Sequence, residues 1–185
     1  MCERSKGRFR RHASLNDVIK RALATANVPS VLEPTGLNRS DGTRPDGTTN
    51  FTWKYGLCLA WDVTVVDTLA ISYIAHTTRE AGWAADDAER RKVEKYAALQ
   101  GRFYFNPVGF ETFGSWGSGA KDLVKEVAAK IEEQTGESRA EQFLQQRISL
   151  EIQRGNAVSV LGTVDKPKSI DELFFLLGAS TFLPN

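Results

Sequence analysis

The order of hydrophobic patterns in this 185-residue chain predicts an α/β sandwich, a mixed four-stranded sheet flanked by helices in the order αβββαβαα. Three observations carry that prediction. Residues 57–66 form a near-continuous apolar run, as in a strand buried on both faces. Two later segments, 120–134 and 139–154, keep the i, i+3, i+4 spacing of amphipathic helices. Between them and the apolar run lies an aromatic-rich stretch, 103–113, that reads as one more strand.

The elements follow in order. Residues 1–12 read as a mobile basic arm. Ser14-Leu15-Asn16-Asp17 offers an N-cap, and Leu15, Val18, Ile19, Ala22, Leu23 and Ala26 keep helical spacing to about residue 26. Val28 to Glu33 is a short strand candidate, and the polar stretch Thr35 to Thr43, with Gly36 and Gly42, predicts a turn. Thr48 to Trp53 reads as a strand, and Gly56 separates it from the buried strand, so these three strands should form a meander. Asp67-Thr68 caps a helical segment running to about Leu99 with a break near Gly82. In the strand from Phe103 to Phe113, Pro107 and Gly109 require an edge position or a bulge. The helix at 120–134 turns Leu123, Val124, Val127, Ala128 and Ile131 inward and ends at Gly136. The helix at 139–154 turns Phe143, Leu144, Ile148 and Ile152 inward and ends at Gly155-Asn156. The expected organisation is thus a basic arm over 1–12, one domain over 13–160, and a tail over 161–185 with an apolar patch from Leu173 to Leu177.

Composition narrows the class. With 41% hydrophobic and 25% charged residues the chain has the make-up of an ordinary globular protein. No apolar run approaches the ~20 residues that span a bilayer, so no membrane partner is expected. The first residues hold no apolar segment, which argues against a secretory signal. Two cysteines, Cys2 and Cys58, do not make a disulfide framework, and a reducing compartment, nuclear or cytoplasmic, is expected. Net charge is +1, yet residues 1–21 carry seven Lys or Arg against Glu3 and Asp17. Such an arm can bind phosphates through counterion release, with Arg8, Arg10 and Arg11 as contacts, and Arg44 is a further candidate. No Ser-His-Asp set, Walker loop or dinucleotide fingerprint appears, and no organic cofactor is expected.

Two acids stand out. Asp46 lies in the turn-like Arg44-Pro45-Asp46-Gly47, and Asp62 is the one charge inside the buried strand. An isolated buried carboxylate is costly unless a cation compensates it. On a wheel of ~100° per residue centred on Ala88, Ala81, Ala84, Ala85 and Leu99 mark the buried stripe. Lys92 and Lys95 fall inside that stripe, while Asp86, Asp87, Glu89, Arg90 and Glu94 fall off it. Two carboxylates on neighbouring strands with an inward lysine suit a hard divalent cation, Mg²⁺ or Mn²⁺, which needs only one or two protein carboxylates. The chemistry is phosphodiester hydrolysis, the lysine orienting water or stabilising developing charge. Each feature also has a plainer use. Arg-Pro-Asp-Gly is a good turn, an inward lysine can snorkel, and Asp62 can pair with a structural cation. His12, His76 and the four tryptophans read as structural, and Glu33 and Glu111 as solvated strand-end acids with a minor claim to the metal.

At these residues the chain resembles the PD-(D/E)xK nuclease superfamily, and within it the restriction-like endonuclease domain of site-specific non-LTR retrotransposons. The matching features are Arg44-Pro45-Asp46, fifteen intervening residues, Asp62-Val63-Thr64-Val65, and Lys95-Tyr96 on the next helix. Arg11-His12, Glu33-Pro34 and the Thr112 to Trp116 segment fit the same layout, over roughly residues 2–155. The resemblance implies a Mg²⁺-dependent endonuclease that nicks double-stranded target DNA to prime reverse transcription. It makes Asp46 and Asp62 the metal ligands and Lys95 the catalytic lysine, with Lys92 a second candidate from the wheel. The superfamily's usual lysine, two residues past the second acid, is Thr64 here. Neither the reverse transcriptase nor the zinc knuckle that normally precedes such a domain is present. The resemblance therefore implies a truncated copy, with Cys2 as the last ligand of a lost knuckle, and the alternative is a catalytically inactive DNA-binding module or fossil copy on the same fold.

Overall fold

The computed structural model describes residues 3–37 and 44–163. The expected turn over 35–43 lies partly outside these residues. The tail beyond Thr163, with its Leu173 to Leu177 patch, and Cys2 lie wholly outside them.

Four strands, β1 (Ser30–Leu32), β2 (Gly47–Lys54), β3 (Leu57–Val66) and β4 (Phe103–Glu111), form one sheet in the order β1-β2-β3-β4. The first three pair antiparallel, the expected meander, and β4 runs parallel to β3. The crossover between β3 and β4 carries α2 (Ile74–Thr77) and α3 (Trp83–Lys95). Gly82, at φ 90°, separates the two where a single helix broken near this residue was expected. Pro107 sits on β4, an edge strand, where its missing N–H costs no ladder bond.

Alternation along β3 divides the interior in two. Leu59, Trp61 and Val63 face a large core built with α1 (Glu3–Thr25), α4 (Ser118–Thr135) and α5 (Ala140–Leu161). Ala60 faces the other way, into a smaller cluster with Tyr96 and Leu99 beneath α3. Leu15, Val18, Ile19 and Leu23 of α1, Leu123, Val124 and Val127 of α4, and Leu144, Ile148 and Ile152 of α5 fill the larger core. No helix among the described residues is long and apolar enough to cross a membrane.

Three local expectations need correction. The basic stretch is not a separate arm from residue 3 onward, because α1 begins at Glu3 rather than near Ser14. Its first turns are held by α5, which runs on to Leu161 instead of stopping at Gly155-Asn156. The two corrections have one cause. Gly155 is an interior helix residue whose missing side chain makes room for another: a Cβ there would lie 1.8 Å from Arg11 Cγ. Phe143 was expected inward but is 47% exposed, with the Arg139 guanidinium over its ring at 4.9 Å.

Candidate functional site

The Arg44-Pro45-Asp46-Gly47 turn is anchored from three sides. The Tyr96 hydroxyl donates to the Arg44 carbonyl at 2.7 Å, and the Glu33 amide donates to the Asp46 carbonyl at 2.7 Å. Gly47 lies under the Trp61 ring, and a Cβ there would come within 2.1 Å of it. A larger residue would push the turn off β3.

Held in this way, the Asp46 side chain lies where β2 begins and meets both β3 and α1. Its Oδ2 accepts from the Val63 amide at 2.7 Å and the Asn16 amide nitrogen at 3.2 Å, and lies 2.9 Å from His12 Nε2. The Trp61 indole donates to Asn16 Oδ1 at 2.9 Å, which turns the Asn16 NH₂ toward Asp46. Burial pushes the Asp46 carboxyl up, but the bonds from His12, Val63 and Asn16 outweigh it and hold the acid below its ordinary range. His12 moves the opposite way: its bond to Asp46 raises it against the effect of burial. Asp46 is therefore an anion at neutral pH, and the pair is charge-assisted.

Asp62 is 3% exposed and lies on the same face of β3 as Ala60, toward α3. Lys92 reaches in from α3 and pairs with its Oδ1 at 2.5 Å. Gly47 pairs with Trp61, so the residues before and after them, Asp46 and Asp62, flank one point of the β2–β3 ladder. The bond from the Val63 amide to Asp46 fixes that adjacency. Electrostatics ties the set together: His12 is raised by both Asp46 and Asp62 and lowered by Lys92.

The inward setting of Lys92 follows the helical wheel. Lys95 is half-buried one turn later, with its ammonium 5.0 Å from the Tyr96 ring centroid. Of the two lysines, Lys92 is the one paired with Asp62. The wheel misplaced Asp87 and Glu89, which are buried although off the alanine stripe. Asp87 pairs along its own helix with Arg90 and Arg91. Glu89 reaches out of α3 to accept the Gly109, Gly119 and Ala120 amides at 2.7, 2.8 and 3.0 Å. α3 is thus covered over a wider arc than apolar residues alone could indicate.

The expected phosphate contacts separate. Arg8 and Arg10 are exposed on α1. Arg11 is not available to a ligand: it is 8% exposed, and its Nη1 donates to Asn156 Oδ1 and Ser159 Oγ of α5. Arg44 is half-buried and pairs with Glu33, which accounts for that acid without a metal. Glu111 is buried, not solvated; its Oε1 accepts the Ala84 amide at the start of α3 at 3.0 Å. His76 stacks on Trp83 with centroids 3.9 Å apart, a structural contact as expected.

Sequence reasoning missed His12 and Asn16 as partners of the site, although their i, i+4 spacing puts them on one face of α1. Among the described residues no group of three or more His, Cys, Asp or Glu side chains is arranged to hold a metal ion. What remains is a two-carboxylate donor set. Asp46 Oδ1 and Asp62 Oδ2 accept no hydrogen bond among the described residues, and hard oxygens of this kind suit a largely hydrated Mg²⁺ or Mn²⁺. No protein-family model and no curated protein matches this chain.

Proposed function

We propose that this chain is a metal-dependent DNA endonuclease of the PD-(D/E)xK type, akin to the restriction-like domain of site-specific non-LTR retrotransposons, and that it nicks phosphodiester bonds of double-stranded DNA. One observation carries the reading: Asp46, an anion at neutral pH, lies beside the buried Asp62, which Lys92 reaches from the opposite helix.

Asp46 and Asp62 would hold the cation. A bound Mg²⁺ or Mn²⁺ supplies positive charge against the phosphorane and lowers the pKa of an attacking water. Lys92 provides a cation already placed at one ligand, suited to the negative charge that builds on the phosphoryl oxygens. Lys95, which the motif order favours, stands one turn away and is the alternative lysine. Arg8 and Arg10 present charge to the DNA backbone without reading sequence. The proposed setting is a reducing compartment, nuclear or cytoplasmic, and Cys58 is a free thiol.

A second reading, a DNA-binding module on the same fold that does not cleave, is favoured by the Lys92–Asp62 pair itself. An ammonium in direct contact with the acid competes with a metal for it. Supercoiled-plasmid nicking with Mg²⁺ separates the two. The nuclease reading expects nicking by the wild type that falls by about 10²-fold or more in Asp62→Asn and Asp46→Asn, the size of a lost acid–base or charge-stabilising group. Comparing Lys92→Ala with Lys95→Ala identifies the lysine. Salt-sensitive DNA binding with no nicking by the wild type supports the module instead.

A further inference from the structure

Asp46 is a divided carboxylate. Its Oδ2 is surrounded by the Val63 amide, His12 Nε2 and the Asn16 amide nitrogen, at 2.7, 2.9 and 3.2 Å. A carboxylate oxygen offers two in-plane lone pairs, so three donors leave no good direction for anything else. The other oxygen, Oδ1, accepts no hydrogen bond among the described residues. We propose that His12 is a positioning residue for the metal: by tying Asp46 Oδ2 to α1 it presents Oδ1 as a single-oxygen ligand. This rests on the nuclease reading above and extends it to a side chain outside the two acids and two lysines.

The three donors differ in how they are fixed. The Val63 amide is rigid backbone of β3, but alone it leaves the carboxylate able to rotate about its own axis. Asn16 is 5% exposed and is itself held by the Trp61 indole, so it belongs to the core as much as to the site. His12, with its side chain 45% exposed, closes the arrangement from the solvent side. The i, i+4 spacing lets one helix face supply both side-chain donors, and the anchoring of the same helix by α5 through Arg11 keeps that face in place. Hydrogen-bonded groups behind a metal ligand commonly change metal affinity by about 10- to 100-fold, since they set ligand orientation before the cation arrives. The bond requires only an imidazole with a proton on Nε2, so a neutral histidine serves as well as a charged one.

The exposure of His12 makes it the residue to test, since its replacement opens no core cavity. Mn²⁺ binding to the full chain, by calorimetry or by loss of the free-ion electron paramagnetic resonance signal, gives a readout that does not depend on cleavage. His12→Ala is expected to weaken Mn²⁺ binding about 10-fold or more and to raise the Mg²⁺ concentration needed for half-maximal nicking in step. His12→Gln, which keeps a donor, is expected to recover most of that loss. If His12→Ala binds Mn²⁺ as tightly as the wild type, or more tightly, the inference is overturned while the nuclease reading stands. Equal losses in His12→Ala and His12→Gln also overturn it, because a donor would then not be what matters. Absence of both Mn²⁺ binding and nicking in the wild type overturns the nuclease reading and this inference together.

Discussion

Half-buried Asp46 and buried Glu89 both accept backbone amides, yet their pKa values move in opposite directions. A side-chain donor decides the difference. Glu89 accepts three amides, yet burial outweighs them and raises it above its ordinary 4.5. Asp46 adds His12 and Asn16 to its one amide and drops below its ordinary 3.8. The consequence for stability follows from linkage. The folded state of Glu89 holds its proton to higher pH than the unfolded chain, so its contribution is fully present below about 4.5 and is lost as pH rises through the folded value. In Glu89→Gln that titration is absent. The melting temperature of the wild type relative to Glu89→Gln should therefore fall as pH rises above about 4.5 and then level off, which thermal denaturation of both proteins across pH 4 to 8 would check. A constant difference would mean that the amide bonds balance burial at Glu89, and a rising one that they outweigh it.

Among the elements, α1 shows where sequence patterning stops being informative. Its apolar positions from Leu15 to Leu23 are legible at helical spacing because they face the core. Residues 3–12 carry a run of positive charge and no apolar stripe at helical spacing, which reads as a mobile arm. They are helical because α5 supplies contacts that no local signal announces: Arg11 packs over Gly155, and its guanidinium bonds Asn156 and Ser159. α5 was shortened in prediction for the matching reason, since Gly155-Asn156 reads as a stop when its partner is unseen. Gly155→Ala tests the pairing. The added Cβ would lie 1.8 Å from Arg11 Cγ, and the forced shift should destabilise the fold by about 1–3 kcal/mol in urea denaturation. Unchanged stability would mean that Gly155 does not make room for Arg11.

For the molecule as a whole, burial rather than sequence position divides the basic residues, and under the proposed nuclease function it decides which of them can meet DNA phosphates. Arg8 and Arg10 are exposed, whereas Arg11 is built into the α1–α5 contact. Each phosphate contact removed should reduce the slope of log affinity against log salt by about 0.9. The double variant Arg8→Ala, Arg10→Ala should therefore flatten the slope by about 2 units in fluorescence anisotropy with duplex DNA. Arg11→Met should leave the slope unchanged and lower the melting temperature. The variant would strip Asn156 Oδ1 and Ser159 Oγ of their guanidinium donor, a loss offset only in part because Arg11 Nε is itself buried without a partner. An unchanged slope in the double variant would move the phosphate contacts elsewhere on the surface.

The sequence by itself determined the strand meander, an edge or bulged setting for Pro107, the helix break at Gly82, the inward direction of Lys92 and the isolation of Asp62 in an apolar strand. Each of these is set by periodicity or by one residue's backbone chemistry, and both act over a few positions along the chain. The tertiary structure decided which partner each polar group met. Lys92 rather than Lys95 lies on Asp62, His12 and Asn16 clasp Asp46 from 30 or more residues away, and Glu89 and Glu111 are consumed in bonding helix starts. Such pairings depend on where α1 and α3 cross the sheet. That position is a property of the whole packed core, and no window of sequence contains it.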